Sequence, residues 1–187
     1  MCDQNALGIA IFAAELSISA AMVLLAVAIN QGKSILTAFQ SMSTSDTIAV
    51  LIGAAAVSLG IAAAVASGCK SGPCSSQAGD VENALIGTTV ALAAATVLVL
   101  VSAHIPGAVN VAGPLTLIIL LGAAGGFAYL GVLLAALATC FVVAAITLST
   151  WLVLATGIAF FTAGLIAIVA IYGIVLTIQT AIEEASG

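Results

Sequence analysis

Polar and apolar positions along this chain fall into blocks rather than stripes. Long apolar runs, each near the length of a membrane span, are separated by short polar clusters such as Asn30-Gln31-Gly32-Lys33 and Ser43-Thr44-Ser45-Asp46. About 20 apolar residues suffice to cross the hydrocarbon core as a helix. A membrane β-strand would instead alternate apolar-out and polar-in, whereas Ala91–Val101 (ALAAATVLVLV) is apolar on every face. The pattern predicts an all-α fold, a polytopic integral membrane helical bundle.

The polar clusters predict the boundaries. A first span over residues 6–29 stops at Asn30-Gln31-Gly32-Lys33. Ser34–Met42 is mildly amphipathic, with Ile35, Leu36 and Phe39 on one face, and predicts a short interfacial helix. Ser43-Thr44-Ser45-Asp46 supplies capping side chains and a carboxylate for a positive helix end, starting a second span over 47–67. Residues 68–83 form the most polar segment, a predicted loop, in which Asp80 and Glu82 mark the start of a third span over 84–103. His104-Ile105-Pro106-Gly107 ends that span.

From Leu115 to Thr180 no charge interrupts the chain, and this stretch is too long for one helix. Its best break is Thr147-Leu148-Ser149-Thr150-Trp151, where three hydroxyls satisfy freed backbone groups and Trp suits the headgroup boundary. That predicts spans over 115–147 and 151–179. Gly122-Ala123-Ala124-Gly125-Gly126 would kink the first of these or make it re-entrant. Five transmembrane helices in a single domain over 1–187 is the expectation, four and six being the alternatives. No repeat of fixed period is present.

Composition then narrows the functional classes. The chain is 64% apolar and 5% charged, against about 45–50% and 25% in soluble domains. No Asp, Glu, Lys or Arg occurs in the 100 residues from Asn83 to Ile182. The start lacks a basic n-region and the first apolar run is long enough to span, so it is expected to be a retained helix rather than a cleaved signal peptide. The two lysines, Lys33 and Lys70, sit in consecutive connections and hence on opposite faces, so positive-inside counting assigns no orientation. With a net charge of −5 and no basic cluster, nucleic acid is not an expected partner. The expected partners are the lipid bilayer and other membrane subunits or copies of this chain.

Few side chains offer chemistry. Cys69 and Cys74 flank a Gly-Pro turn that could bring them within the 4.4–6.8 Å of a disulfide. Such a bond persists on an oxidising face, which would put loop 68–83 and the N-terminus on the extracytoplasmic side. Cys2 is terminal, and Cys140, inside the apolar run LATCFVV, is expected to be a small packing residue. A thiol relay would want a reactive pair such as Cys-x-x-Cys, and none is present.

Glu15 lies ten positions into the first apolar run, where an ionised carboxylate is expensive. It is the candidate proton or ion site, with Ser19 one turn on as its partner. The competing readings are a protonated acid that locks helices together and an acid at the interface. His104 lacks a second His for a metal site, so neither a metal nor a cofactor is expected.

Small residues recur at helical spacing: Gly53 and Gly60, Gly122 and Gly126, Gly157 and Gly164. Such spacing lets membrane helices approach closely. Triads, phosphate loops and dinucleotide fingerprints are missing, and no enzymatic role is expected. Two functions remain. One is a structural or accessory subunit of a larger membrane-embedded assembly (an enzyme complex, a secretion apparatus or a lipid-containing virion). The other is a small proton or ion channel or transporter using Glu15, helped by hydroxyls such as Ser17, Ser19, Thr88, Thr89 and Thr96.

Overall fold

The computed structural model describes residues 2–32 and 34–186, apart from the side chain of Gln40. Lys33, one of the two lysines weighed for orientation, lies outside the described residues. The elements are α1 (Gln4–Gly32), α2 (Ile35–Gln40), α3 (Met42–Gly68), a single 3₁₀ turn (Cys69–Ser71), α4 (Ser75–His104), α5 (Val109–Val143) and α6 (Thr150–Ser186). Among the described residues there is no strand, and five helices are long and apolar enough to cross a membrane. The protein is an all-α bundle of the multi-pass membrane type.

The long helices form a ring. Each packs against two neighbours, in the order α1, α3, α4, α5, α6 and back to α1. Successive helices run in opposite directions, except that α1 and α6 lie side by side and parallel, because three spans, an odd number, lie between them in the chain. The ring therefore has a head, where the N-terminus, the Cys69–Cys74 connection and the 144–149 connection meet. At the tail, α2 touches all five long helices, with Ile35 and Phe39 wholly buried. The predicted interfacial helix is thus a plug, its apolar face turned into the bundle rather than toward lipid. Ser34 starts it, the hydroxyl accepting a bond from the Thr37 N–H at 3.1 Å.

Several boundaries differ from the sequence expectation. Ser43–Asp46 lies inside the first turns of α3 rather than before them, and Ser41 stands at the cap with its hydroxyl on Thr44 Oγ1 rather than on a backbone N–H. The polar stretch after Ser75 is helical, leaving a much shorter connection than 68–83. Gly122–Gly126 does not re-enter: α5 runs unbroken through it and begins early enough to contain Pro114. In lipid a broken helix strands N–H and C=O groups with nothing to bond, a cost of several kcal/mol per group, roughly. That exceeds the approximately 1 kcal/mol by which glycine disfavours a helix. The break after α5 comes four residues before Thr147. There Ala145 takes a left-handed φ of 62°, and the Ile146 N–H reaches back to the Phe141 carbonyl at 2.8 Å, a Schellman-type stop.

The ring encloses a packed core. Ile11, Ile18, Leu59, Leu92, Phe127 and Ile166 are all fully buried. The outer surface carries large exposed apolar side chains such as Val50, Val90 and Phe161, the inversion expected when lipid is the solvent. Polar ties between spans are few. Ser17 Oγ donates to the Leu51 carbonyl at 2.6 Å, and Ser58 Oγ donates to the Ala10 carbonyl at 2.7 Å. These bonds staple α1 to antiparallel α3 from both sides. Hydrogen bonds between membrane helices are worth about 0.6 kcal/mol on average. Ser17→Ala and Ser58→Ala are each expected to lower stability by about that much, and additively, in denaturant titrations of the detergent-solubilised protein.

Candidate functional site

The head of the ring gathers all four cysteines. Cys2 bonds Cys69 with Cα atoms 4.2 Å apart, and Cys74 bonds Cys140 with Cα atoms 6.0 Å apart. The expected Cys69–Cys74 bridge is therefore incorrect, and Cys140 is a bridge rather than a packing residue. The reason is topological. Cys69 ends α3 beside the incoming N-terminal segment, while Cys74 precedes α4 against the end of α5. Each sulfur is aimed at a neighbouring helix rather than across the turn. Four cysteines allow three pairings; the parity of the spans gathers all four at one end, and the adjacency of α1 with α3 and of α4 with α5 selects the pairs. The start of the first span and the end of the second lie on one side, as do the start of the third and the end of the fourth.

Every joint of the ring is tied at this end. The disulfides join α1 to α3 and α4 to α5, and short connections join α3 to α4 and α5 to α6. The last joint, α6 to α1, is made by hydrogen bonds. Gln4 Nε2 donates to the Thr147 carbonyl at 3.1 Å, the Ser149 N–H donates to Gln4 Oε1 at 3.1 Å, and Ser149 Oγ meets Asn5 Oδ1 at 2.5 Å. Behind the Cys2–Cys69 bridge a cavity of about 510 Å³ opens between Gln4, Ser71, Pro73, Phe141 and Ile146. Lys70 Nζ and Glu82 Oε1 pair at 2.8 Å nearby, and His104 Nε2 meets Asp46 Oδ1 at 2.7 Å at the tail. Both pairs are partly solvated and contribute little to stability.

Glu15 is fully buried, and neither of its carboxyl oxygens has a hydrogen-bond partner among the described residues. The helix already begins at Gln4, so the later helix start that would have put Glu15 at the interface is not what forms. Ser19, one turn on, is only half-buried and does not bond it. The other hydroxyls expected to assist are engaged elsewhere. Ser17 is taken by α3, while Thr88, Thr89 and Thr96 donate to carbonyls four residues back in their own helix. A second buried hydroxyl without a partner, Thr162 on α6, carried no sequence signal, since threonines punctuate apolar helices throughout this chain.

The six glycines expected at helix contacts divide. A Cβ at Gly126 would stand 2.6 Å from Thr88 Oγ1, so this position needs glycine where α4 meets α5. Gly53 and Gly60 make ordinary contacts with Thr96 and Thr89. Gly122, Gly157 and Gly164 face open space on the outside of the ring and pack against nothing within it. The closest approach is at Gly8, which the spacing did not single out. A Cβ there would lie 2.5 Å from the Leu152 backbone nitrogen.

No family model matches the chain, and no curated protein or solved structure matches it either.

Proposed function

We propose that this chain is a structural or accessory subunit of a larger membrane-embedded assembly, non-enzymatic, with its disulfide-bearing head on the extracytoplasmic side. The observation that carries this reading is the division of small residues between inside and outside. The α4/α5 outer face holds a groove of about 200 Å³ lined by Ala84, Gly87, Ala91, Gly122, Gly126 and Tyr129. Gly157 and Gly164 lie bare on α6. Lipid tails gain nothing from glycine, whereas a neighbouring helix can approach closely only over small residues. The occupant is another membrane subunit or a second copy. The orientation rests on the two bridges, which require an oxidising compartment.

The channel or transporter reading has Glu15 in its favour. A conducting path also needs polar groups leading to it, and the inward residues flanking it on α1 are Leu7, Ile11, Ala14, Ile18, Ala21 and Met22, all fully buried. An apolar flank on α1 supports a structural role.

Two measurements test the proposal. Purification from the native membrane in mild detergent is expected to recover the chain in a stoichiometric complex or a homo-oligomer; a monomer alone counts against it. Glu15→Gln is expected to leave that assembly intact. If wild-type liposomes carry a proton or ion flux that Glu15→Gln abolishes, the structural reading is lost.

A further inference from the structure

We propose that Glu15 and Thr162 form a proton-binding site in the α1/α6 seam, the Glu15 carboxyl keeping its proton and sharing its hydrogen bond with the Thr162 hydroxyl. The site holds a proton whether or not ions cross the bilayer, so it stands apart from the subunit reading.

Three buried oxygens carry the inference. Both carboxyl oxygens of Glu15 and Oγ1 of Thr162 are without a hydrogen-bond partner among the described residues, in side chains that expose no surface. Thr162 departs from its peers. Past their first turns, every other threonine of α4, α5 and α6, Thr88, Thr116, Thr156 and Thr177 among them, donates to the carbonyl four residues back. Only the Thr162 hydroxyl declines that local bond and is left free in the core. A buried hydroxyl without a bond is costly, and a nearby hydrogen-bond partner would recover that cost.

Register brings the two residues together. The site of a Cβ on Gly8 abuts Leu152, and Ile29 reaches Gly173, the same offset of 144 residues at both ends of the parallel pair. Glu15 is therefore level with Ala159, and Thr162 lies three residues further, about 4.5 Å along the axis. Opposite Glu15 the α6 face is made of Ala155, Ala159 and Ala163, all buried. With only these small side chains opposite, the proposed bond needs the glutamate, which has three rotatable bonds, to turn toward Thr162 directly or through one water. A buried water makes about three hydrogen bonds, and three oxygens are on hand.

The bound species is a proton. A carboxylate in this core would have no compensating base. Of the described basic residues, Lys70 pairs with Glu82 at the head and His104 with Asp46 at the tail. A divalent cation takes about six oxygen ligands, twice the number present. The titratable groups on α1 and the helices packed against it are Asp3, Asp46, Tyr172, Glu183 and Glu184, and α2 contributes none. Across the ring α4 and α5 carry Asp80, Glu82, His104 and Tyr129, none of them buried.

Infrared difference spectroscopy of the full chain in liposomes at neutral pH tests the site. The expected result is a carboxylic acid C=O band that Glu15→Gln removes and that Thr162→Val shifts to higher frequency, with Thr162→Ser restoring its position. A spectrum in which Glu15→Gln removes only a carboxylate band overturns the proposal. An acid band indifferent to Thr162→Val overturns the pairing, and a band lost on adding sodium chloride at constant pH makes the site one for a metal cation instead.

Discussion

Gly8→Ala is expected to open the α1/α6 seam and lower stability by about 3 kcal/mol, the upper part of the usual range for overpacking. The added methyl carbon would stand 2.5 Å from the Leu152 nitrogen and the Trp151 carbonyl carbon. Both are backbone atoms, so no rotamer change relieves the clash and the helices themselves must separate. Separation at that point pulls Gln4 and Asn5 from Thr147 and Ser149, the hydrogen bonds that close the ring at its head. Gly125→Ala serves as the control, because nothing lies within 4 Å of its Cβ position; that change should stay within about 0.5 kcal/mol of wild type. Circular-dichroism melts in mild detergent report both, and equal behaviour of the two variants would refute the close approach.

Loss of the disulfides is expected to be larger still. The bridges close loops of 67 and 66 residues in sequence separation, for which the chain-entropy estimate is about 4 kcal/mol each. Serine replacement of Cys2 with Cys69, or of Cys74 with Cys140, should each lower the unfolding midpoint strongly, and reduction of the wild-type chain should reproduce the combined effect. Peptide mapping without reductant is expected to recover Cys2 linked to Cys69 and Cys74 linked to Cys140. A peptide carrying Cys69 bound to Cys74 contradicts the arrangement.

The number of long helices and their membrane character are legible in the sequence because they follow from block lengths and from the lack of charge. Where a helix starts or stops is less so. Ser75–Asn83 is polar enough to suggest a loop, yet a polar segment at a membrane surface has every reason to continue a helix already required below it. Gly122–Gly126 resembles a break only on the propensity scale of water. Cysteine pairing depends on which helix ends share a side and which helices adjoin, the second of these being a property of the ring. Glu15 stands out in the sequence because a charge-bearing group in an apolar run is costly. Thr162 does not, since its distinction lies in a hydrogen bond it fails to make.

The meeting of α1 with α6 also has a consequence for biogenesis. During synthesis α1 inserts with one flank uncovered, and the helix that covers it, α6, is made only after α3, α4 and α5. Cys2 and Cys69 are both available once the second long helix has been made, and Cys74 and Cys140 only after the fourth. Until α6 arrives, Glu15 faces lipid or a chaperoning membrane protein. A chain truncated before Thr150 would keep all four cysteines yet leave the α1 flank open and Glu15 without the helix that covers it.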